Sequence, residues 1–237
     1  MHLTIDIGNT RSKWALFEGD RLVQCGYMTE GLPPEGAQAD IIVCATGNAD
    51  LHALGLEKKQ VQRLTADMPL PITLDYATPE TLGPDRIAAA CGAWMLREEG
   101  CPQLIIDAGT CITIDYLDAA GVYHGGAILP GIDMKFRALH TFTAKLPLLQ
   151  NDDTYPHPAT GRNTQQSMGA GVYAATLFAL QGFIGHYRSL DPSTKVVVTG
   201  GDASLLWQEG LKNIPDSIIE PHLLLMGLNE IMKKNEE

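Results

Sequence analysis

The sequence predicts an α/β fold built by duplication, and three features of its 237 residues point there. The apolar run Leu3 to Ile5 ends in Asp6-Ile7-Gly8-Asn9-Thr10-Arg11 and is followed by a second apolar run, Trp14 to Phe17, the pattern of strand, tight polar turn, strand. Leu104-Ile105-Ile106-Asp107-Ala108-Gly109-Thr110, followed by Ile112 to Ile114, repeats it 101 residues later. Each copy then runs into a hairpin signal, Glu18-Gly19-Asp20 in the first and Asp118-Ala119-Ala120-Gly121 in the second. One Asp-x-Gly means little, but turn plus hairpin in both copies implies two domains, 1–103 and 104–237, each of ordinary domain size.

Composition narrows the partners. With 45% apolar and 19% charged residues both halves should fold, and a net charge of −11 offers no basic stripe for a nucleic-acid backbone. The five cysteines include no Cys-x-x-Cys pair and are expected to be buried thiols in a reducing compartment. No 18-residue apolar run or secretory leader is read, so the expected location is the cytoplasm, with no membrane partner.

Taken in order, residues 2–27 are expected to form three antiparallel strands. Asp40 to Ala45 should be a fourth, ending at the polar turn Thr46-Gly47-Asn48, and residues 51–64 are weakly amphipathic. Gly83-Pro84-Asp85-Arg86 suits a helix entry, because proline at the first helical position loses an N–H that has no partner there anyway. Ile87, Ala90, Cys91 and Trp94 would line one face, and Gly100 with Pro102 would end the helix. After the second hairpin, His124-Gly125-Gly126 through Pro130-Gly131 invites close backbone approach, and a helix over 132–143 should follow. Residues 146–162 form a long loop ending near Asn163-Thr164, and a helix over about 165–189 has an apolar face wide enough to suggest a subunit interface as well as a core. Val196 to Val198 is a buried strand running into Thr199-Gly200-Gly201-Asp202, and a helix over 221–232 closes the chain. Gly169-Ala170-Gly171-Val172-Tyr173-Ala174 fits a dinucleotide pattern but lacks the preceding strand, and no Walker loop occurs.

The chemistry follows from the turns. Backbone amides and hydroxyls of Gly8, Asn9, Thr10, Gly109 and Thr110 can cradle phosphate oxygens, whereas Asp6 and Asp107 can approach phosphates only through a cation. Arg11 and Lys13 bring positive charge to the first turn, as phosphoryl transfer requires. Residues alone therefore predict a phosphotransferase with a duplicated α/β fold.

The ordered set Asp6-Ile7-Gly8-Asn9-Thr10, Gly83-Pro84-Asp85-Arg86, Asp107-Ala108-Gly109-Thr110, the Gly125-Gly126 to Pro130-Gly131 segment and Asn163-Thr164 resembles the motif set of type III pantothenate kinases. These belong to the acetate and sugar kinase, Hsp70 and actin superfamily. The resemblance implies duplicated actin-like (ribonuclease H-like) domains with a nucleotide cleft between them, and ATP-dependent phosphorylation of pantothenate to 4′-phosphopantothenate, the first committed step toward coenzyme A. It implies ATP contacts from Asp6, Ile7, Gly8, Asn9, Thr10, Arg11, Ser12, Lys13 and Thr110. It likewise implies pantothenate contacts from Tyr76, Gly83, Pro84, Asp85, Arg86 and Thr164, with Asp85 as proton acceptor and Asp107 as ligand of a monovalent cation, K+ or NH4+. Mg2+ with ATP and a homodimer are implied as well. Two other readings stay open here: another small-alcohol or sugar kinase of the superfamily, and a non-catalytic nucleotide-binding regulator.

Overall fold

The protein is described from a computed structural model covering residues 1–8, 10–45, 61–151 and 158–236. In chain order the elements are β1 (His2–Ile7), β2 (Ser12–Glu18), β3 (Arg21–Tyr27), β4 (Asp40–Ala45), β5 (Val61–Arg63), β6 (Thr73–Leu74), α1 (Pro84–Leu96), β7 (Gln103–Ala108), β8 (Cys111–Leu117), β9 (Val122–Pro130), α2 (Ile132–Thr141), α3 (Thr164–Gly169), a π turn (Ala170–Ala174), α4 (Ala175–Leu190), β10 (Lys195–Thr199), α5 (Ala203–Glu209), β11 (Ser217–Ile219) and α6 (Leu223–Glu236). The expected turn at Thr46-Gly47-Asn48 and most of the 51–64 segment lie outside the described residues.

Contacts group the chain into two compact units, Met1–Glu98 with Ala120–Gly125 and His222–Glu237, and Glu99–Ala119 with Gly126–Pro221. In the first, the sheet order is β3-β2-β1-β4-β5, with β1 antiparallel to β2 and parallel to β4. The other sheet has the order β6-β9-β8-β7-β10-β11, with β7 antiparallel to β8 and parallel to β10. The order β3-β2-β1-β4-β5 recurs within the second sheet as β9-β8-β7-β10-β11, the duplication expected from the two Asp-x-Gly copies.

The central strands are buried on both faces. Leu3, Ile5, Ile41 and Val43 form the first core; Leu104, Ile106, Ile114, Val196 and Val198 anchor the second. Each such side chain contributes about 1.5–3 kcal/mol by leaving water.

Helix α1 differs from the single apolar face expected for it: residues Arg86 to Ala93 are all buried. Gly92 and Gly227 explain this. A Cβ on Gly92 would lie 2.1 Å from the Leu223 carbonyl oxygen, and one on Gly227 would lie 1.8 Å from that of Ala88, so α1 and α6 meet backbone to backbone. Buried His2 on β1 reinforces the arrangement, its Nδ1 2.8 Å from Asn229 Oδ1 and its Nε2 2.8 Å from Glu236 Oε1. Helix α6, which a division at 103/104 assigns to the second half, therefore packs in the first unit.

The expected helix over 165–189 is observed as α3, the π turn and α4, running from Thr164 to Leu190. Among the described residues it is the one helix long and apolar enough to cross a membrane. Its buried Met168, Val172, Tyr173, Leu180 and Ile184 belong to the second core. The cysteines depart from expectation: all five are free thiols, but only Cys44 and Cys91 are buried, while Cys25 and Cys111 are exposed because they sit on solvent-facing positions of β3 and β8.

Candidate active site

The first Asp-x-Gly turn is set by strand register. Ile7 pairs with Ser12 and Asp6 with Lys13, which leaves Gly8 to Arg11 as the connection. The Gly8 N–H donates to the Arg11 carbonyl at 3.2 Å, and a Cβ at Gly8 would stand 3.0 Å from that oxygen, so glycine keeps the turn tight. A cavity of about 450 Å³ opens beside it, lined by Gly8, Thr10, Arg11, Ser12, Tyr27, Met28 and Thr29. This is the size of an ordinary small-molecule pocket. Asn9 lies outside the described residues. Tyr27, Met28 and Thr29 were not legible as lining residues, since only the pairing of β3 on β2 and the Trp14 Nε1–H bond to the Tyr27 carbonyl (3.3 Å) bring them there.

Asp6 has its pKa raised from 3.8 to about 6, first by burial, then by the Asp85 carboxylate, with Lys13 opposing. The structure thus brings Asp6 and Asp85, 79 positions apart in sequence, into one electrostatic environment. That pairing had no sequence signal.

Asp85 occupies the first turn of α1, and its Oδ1 accepts the Arg86 N–H at 2.9 Å. A Cβ at Gly83 would lie 2.4 Å from the same Oδ1, so a larger residue there would push the Asp85 carboxylate aside, the backbone angles of Gly83 being ordinary. Arg86 is only 7% exposed, and its guanidinium carbon sits 6.0 Å from the centroid of the Tyr76 ring, within cation–π range. Tyr76 is placed by β6, whose Thr73 and Leu74 pair with Val122 and Tyr123 of β9. Gly125, at φ +81, leaves room for the ring, since a Cβ there would be 3.0 Å from it. His124 Nδ1 meets Asp75 Oδ2 at 3.2 Å and tethers the same two segments.

The second turn is shorter. Ala108 pairs with Ile112 and Asp107 with Thr113, leaving Gly109 to Cys111, closed by the Gly109 N–H to the Cys111 carbonyl at 2.9 Å. Two glycines enclose it. A Cβ on Gly131 would fall 2.3 Å from the Gly109 oxygen, and one on Gly200 (φ +101) would fall 2.4 Å from Asp107 Oδ1. Thr110 is exposed at its tip. Thr164 begins α3 and is exposed; Asn163 caps the helix by accepting the Gln166 N–H at 2.9 Å.

The candidate residues therefore fall as Asp6 to Lys13, Tyr76 and Gly83 to Arg86 in the first unit, and Asp107, Thr110 and Thr164 in the second. Among the described residues no three His, Cys, Asp or Glu side chains form a metal cage. The single carboxylates suit ions that take the rest of their ligands from phosphates, waters and carbonyls.

The profile of the type III pantothenate kinase family matches residues 29–186. A type III pantothenate kinase of Phocaeicola vulgatus is 36% identical with complete coverage of both chains, and one of Flavobacterium johnsoniae is 38% identical over 90% of each. Among solved structures, a Campylobacter jejuni protein described as a Baf family transcriptional activator superposes with a TM-score of 0.61 at 22% identity, covering 99% of this chain and 98% of the other. A Listeria monocytogenes protein described as an N-acetylmannosamine kinase gives 0.55 at 11% identity, covering 100% and 99%. These structural likenesses carry the duplicated kinase fold, and the sequence relatives carry more: the chain belongs to the type III pantothenate kinase family.

Proposed function

We propose that the chain transfers the γ-phosphoryl group of ATP to the hydroxyl of pantothenate, giving 4′-phosphopantothenate and ADP, the first step of coenzyme A biosynthesis, in the cytoplasm. The observation that carries this reading is the head of α1, where buried Arg86 stands beside Tyr76 and Asp85 shares an environment with Asp6 of the phosphate turn. Arg86 supplies a planar donor for the carboxylate of pantothenate, with Tyr76, Gly83, Pro84 and Thr164 completing its site. Asp85 accepts the hydroxyl proton as the oxygen attacks the γ-phosphorus and the bond to the bridging oxygen breaks.

ATP phosphates are held by Gly8 to Lys13 and Thr110. Asp6 fits a Mg2+ role, because a carboxylate that is desolvated and pressed by a second carboxylate is stabilised by a cation. Mg2+ would neutralise charge on the β- and γ-phosphates. Asp107 fits K+ or NH4+.

A homodimer is supported by a groove of about 440 Å³ along α3 and α4, where Gly161, Gly171 and Ala175 stand next to Phe178, which is 60% exposed. ATP consumption measured with and without pantothenate, in K+ and in Na+ buffers containing Mg2+, tests the assignment. Turnover that needs pantothenate and K+ is expected; consumption independent of pantothenate would overturn it. Light scattering that finds a fully active monomer would overturn the dimer.

A further inference from the structure

The π turn at Ala170–Ala174 and the Thr199-Gly200-Gly201-Asp202 turn are not explained by the proposed contacts, yet the side chain of Asn151 joins them. The Tyr173 hydroxyl donates to Asn151 Oδ1 at 2.9 Å, and Asn151 Nδ2 donates to Asp202 Oδ1 at 3.2 Å. The amide orientation is dictated by chemistry, because an ionised carboxylate only accepts and so requires the NH2 group to face it. Asp202 in turn donates its N–H to the Ala108 carbonyl at 2.8 Å, one residue beyond Asp107. Gly200 of the same turn lies so close to Asp107 that a Cβ would stand 2.4 Å from Oδ1.

The chain of contacts thus runs from the helix that begins at Thr164, through its π turn, to the carboxylate of Asp107. Tyr173 is buried and braced by Phe136 in an edge-to-face contact with centroids 5.5 Å apart, so its hydroxyl is a fixed donor. π turns are locally costly and occur often at functional sites.

We propose that Asn151 is a positioning residue for the cation at Asp107: by holding Asp202 to the π turn through Tyr173, it fixes the backbone on which the Asp107 carboxylate is mounted. This rests on the reading of Asp107 as a monovalent-cation ligand. Asn151 makes no claim on substrate, and its effect should appear in the cation requirement ahead of the chemical step.

The test titrates K+ at saturating ATP and pantothenate in the full-length protein, comparing wild type with Asn151→Ala, Tyr173→Phe, the double variant, Asn151→Asp and Asp107→Asn. Loss of one such hydrogen bond corresponds to about three- to tenfold, so Asn151→Ala and Tyr173→Phe should each raise the K+ half-activation concentration by about that factor, with kcat at saturating K+ within about twofold of wild type. The double variant should be no worse than Asn151→Ala, since both break one relay. Asn151→Asp should be worst, because it sets a like charge against Asp202. A merely structural role would lower the melting temperature and the active fraction without moving the K+ midpoint. If Asp107→Asn abolishes K+ dependence while Asn151→Ala and Tyr173→Phe leave the midpoint unchanged, the inference is wrong and the reading of Asp107 stands. If Asp107→Asn leaves K+ dependence intact, both fall. Tyr173→Phe keeps the ring and its packing, so the question stays decidable should Asn151→Ala fold poorly.

Discussion

The two Asp-x-Gly turns come from the same sequence pattern and are physically different objects. The first is a four-residue connection with Asp6 opposite Lys13, and its aspartate is pressed by burial and by Asp85 to a pKa of about 6. The second is one residue shorter, with Asp107 opposite Thr113 and walled in by Gly131 and Gly200. The aspartate of one turn is set apart by burial and a neighbouring charge, that of the other by neighbouring backbone. A repeated motif therefore specifies the turn, while its surroundings specify the chemistry.

The sharpest way to break this comparison is to neutralise the charge that distinguishes the first turn. Asp85→Asn should lower kcat by about 10²-fold or more, the scale of general-base catalysis, with ATP affinity measured by calorimetry nearly unchanged. Asp107→Asn should instead weaken cation and ATP binding. Exchange of these two phenotypes would move the base to the second turn.

Next in size is an effect on stability. Asp6 favours its neutral form in the folded protein, so its contribution to stability is fully present below its unfolded pKa of 3.8 and is lost as pH rises through about 6. The loss is at most about 3 kcal/mol at pH 8. Ligand-free Asp6→Asn should accordingly melt higher than wild type at pH 8 and equally near pH 4, by calorimetry across that range. Mg-ATP should restore wild type and not the variant. Identical melting curves at pH 8 would remove the carboxylate pair from the account.

Glycine substitutions probe the second turn. Gly200→Ala combines a φ of +101 with overlap on Asp107 and Ala108, and should cost about 2 kcal/mol or more by denaturant unfolding. The smallest effects belong to the pattern glycines themselves. Gly8→Ala meets a carbonyl at 3.0 Å and should cost about 1 kcal/mol and raise KM for ATP. Gly109→Ala finds only ordinary contacts, at 3.6 Å and beyond, and should stay within about 0.5 kcal/mol of wild type. Equal losses at Gly8 and Gly109 would mean the two turns are equivalent after all.

Local features of this protein were determined by sequence alone, because each depends on neighbours within a few residues. Alternating and continuous apolar runs specified the strands, and glycine with aspartate specified the turns. Pro84 and Asp85 specified the start of α1, and the repeat of turn plus hairpin specified the duplication that the five-strand order shared by the two sheets displays. Tertiary structure alone decided what depends on distant partners. Helix α6 joined the first unit because Gly92 and Gly227 let two backbones touch. Tyr27 to Thr29 came to line the cavity by pairing of β3 on β2. Asp6 met Asp85 across 79 positions, and Asn151 found Tyr173 and Asp202 on two other elements. Periodicity reports which face of an element is apolar, but the partner of that face, and the charge that ends up beside a buried carboxylate, exist only once the sheets have closed.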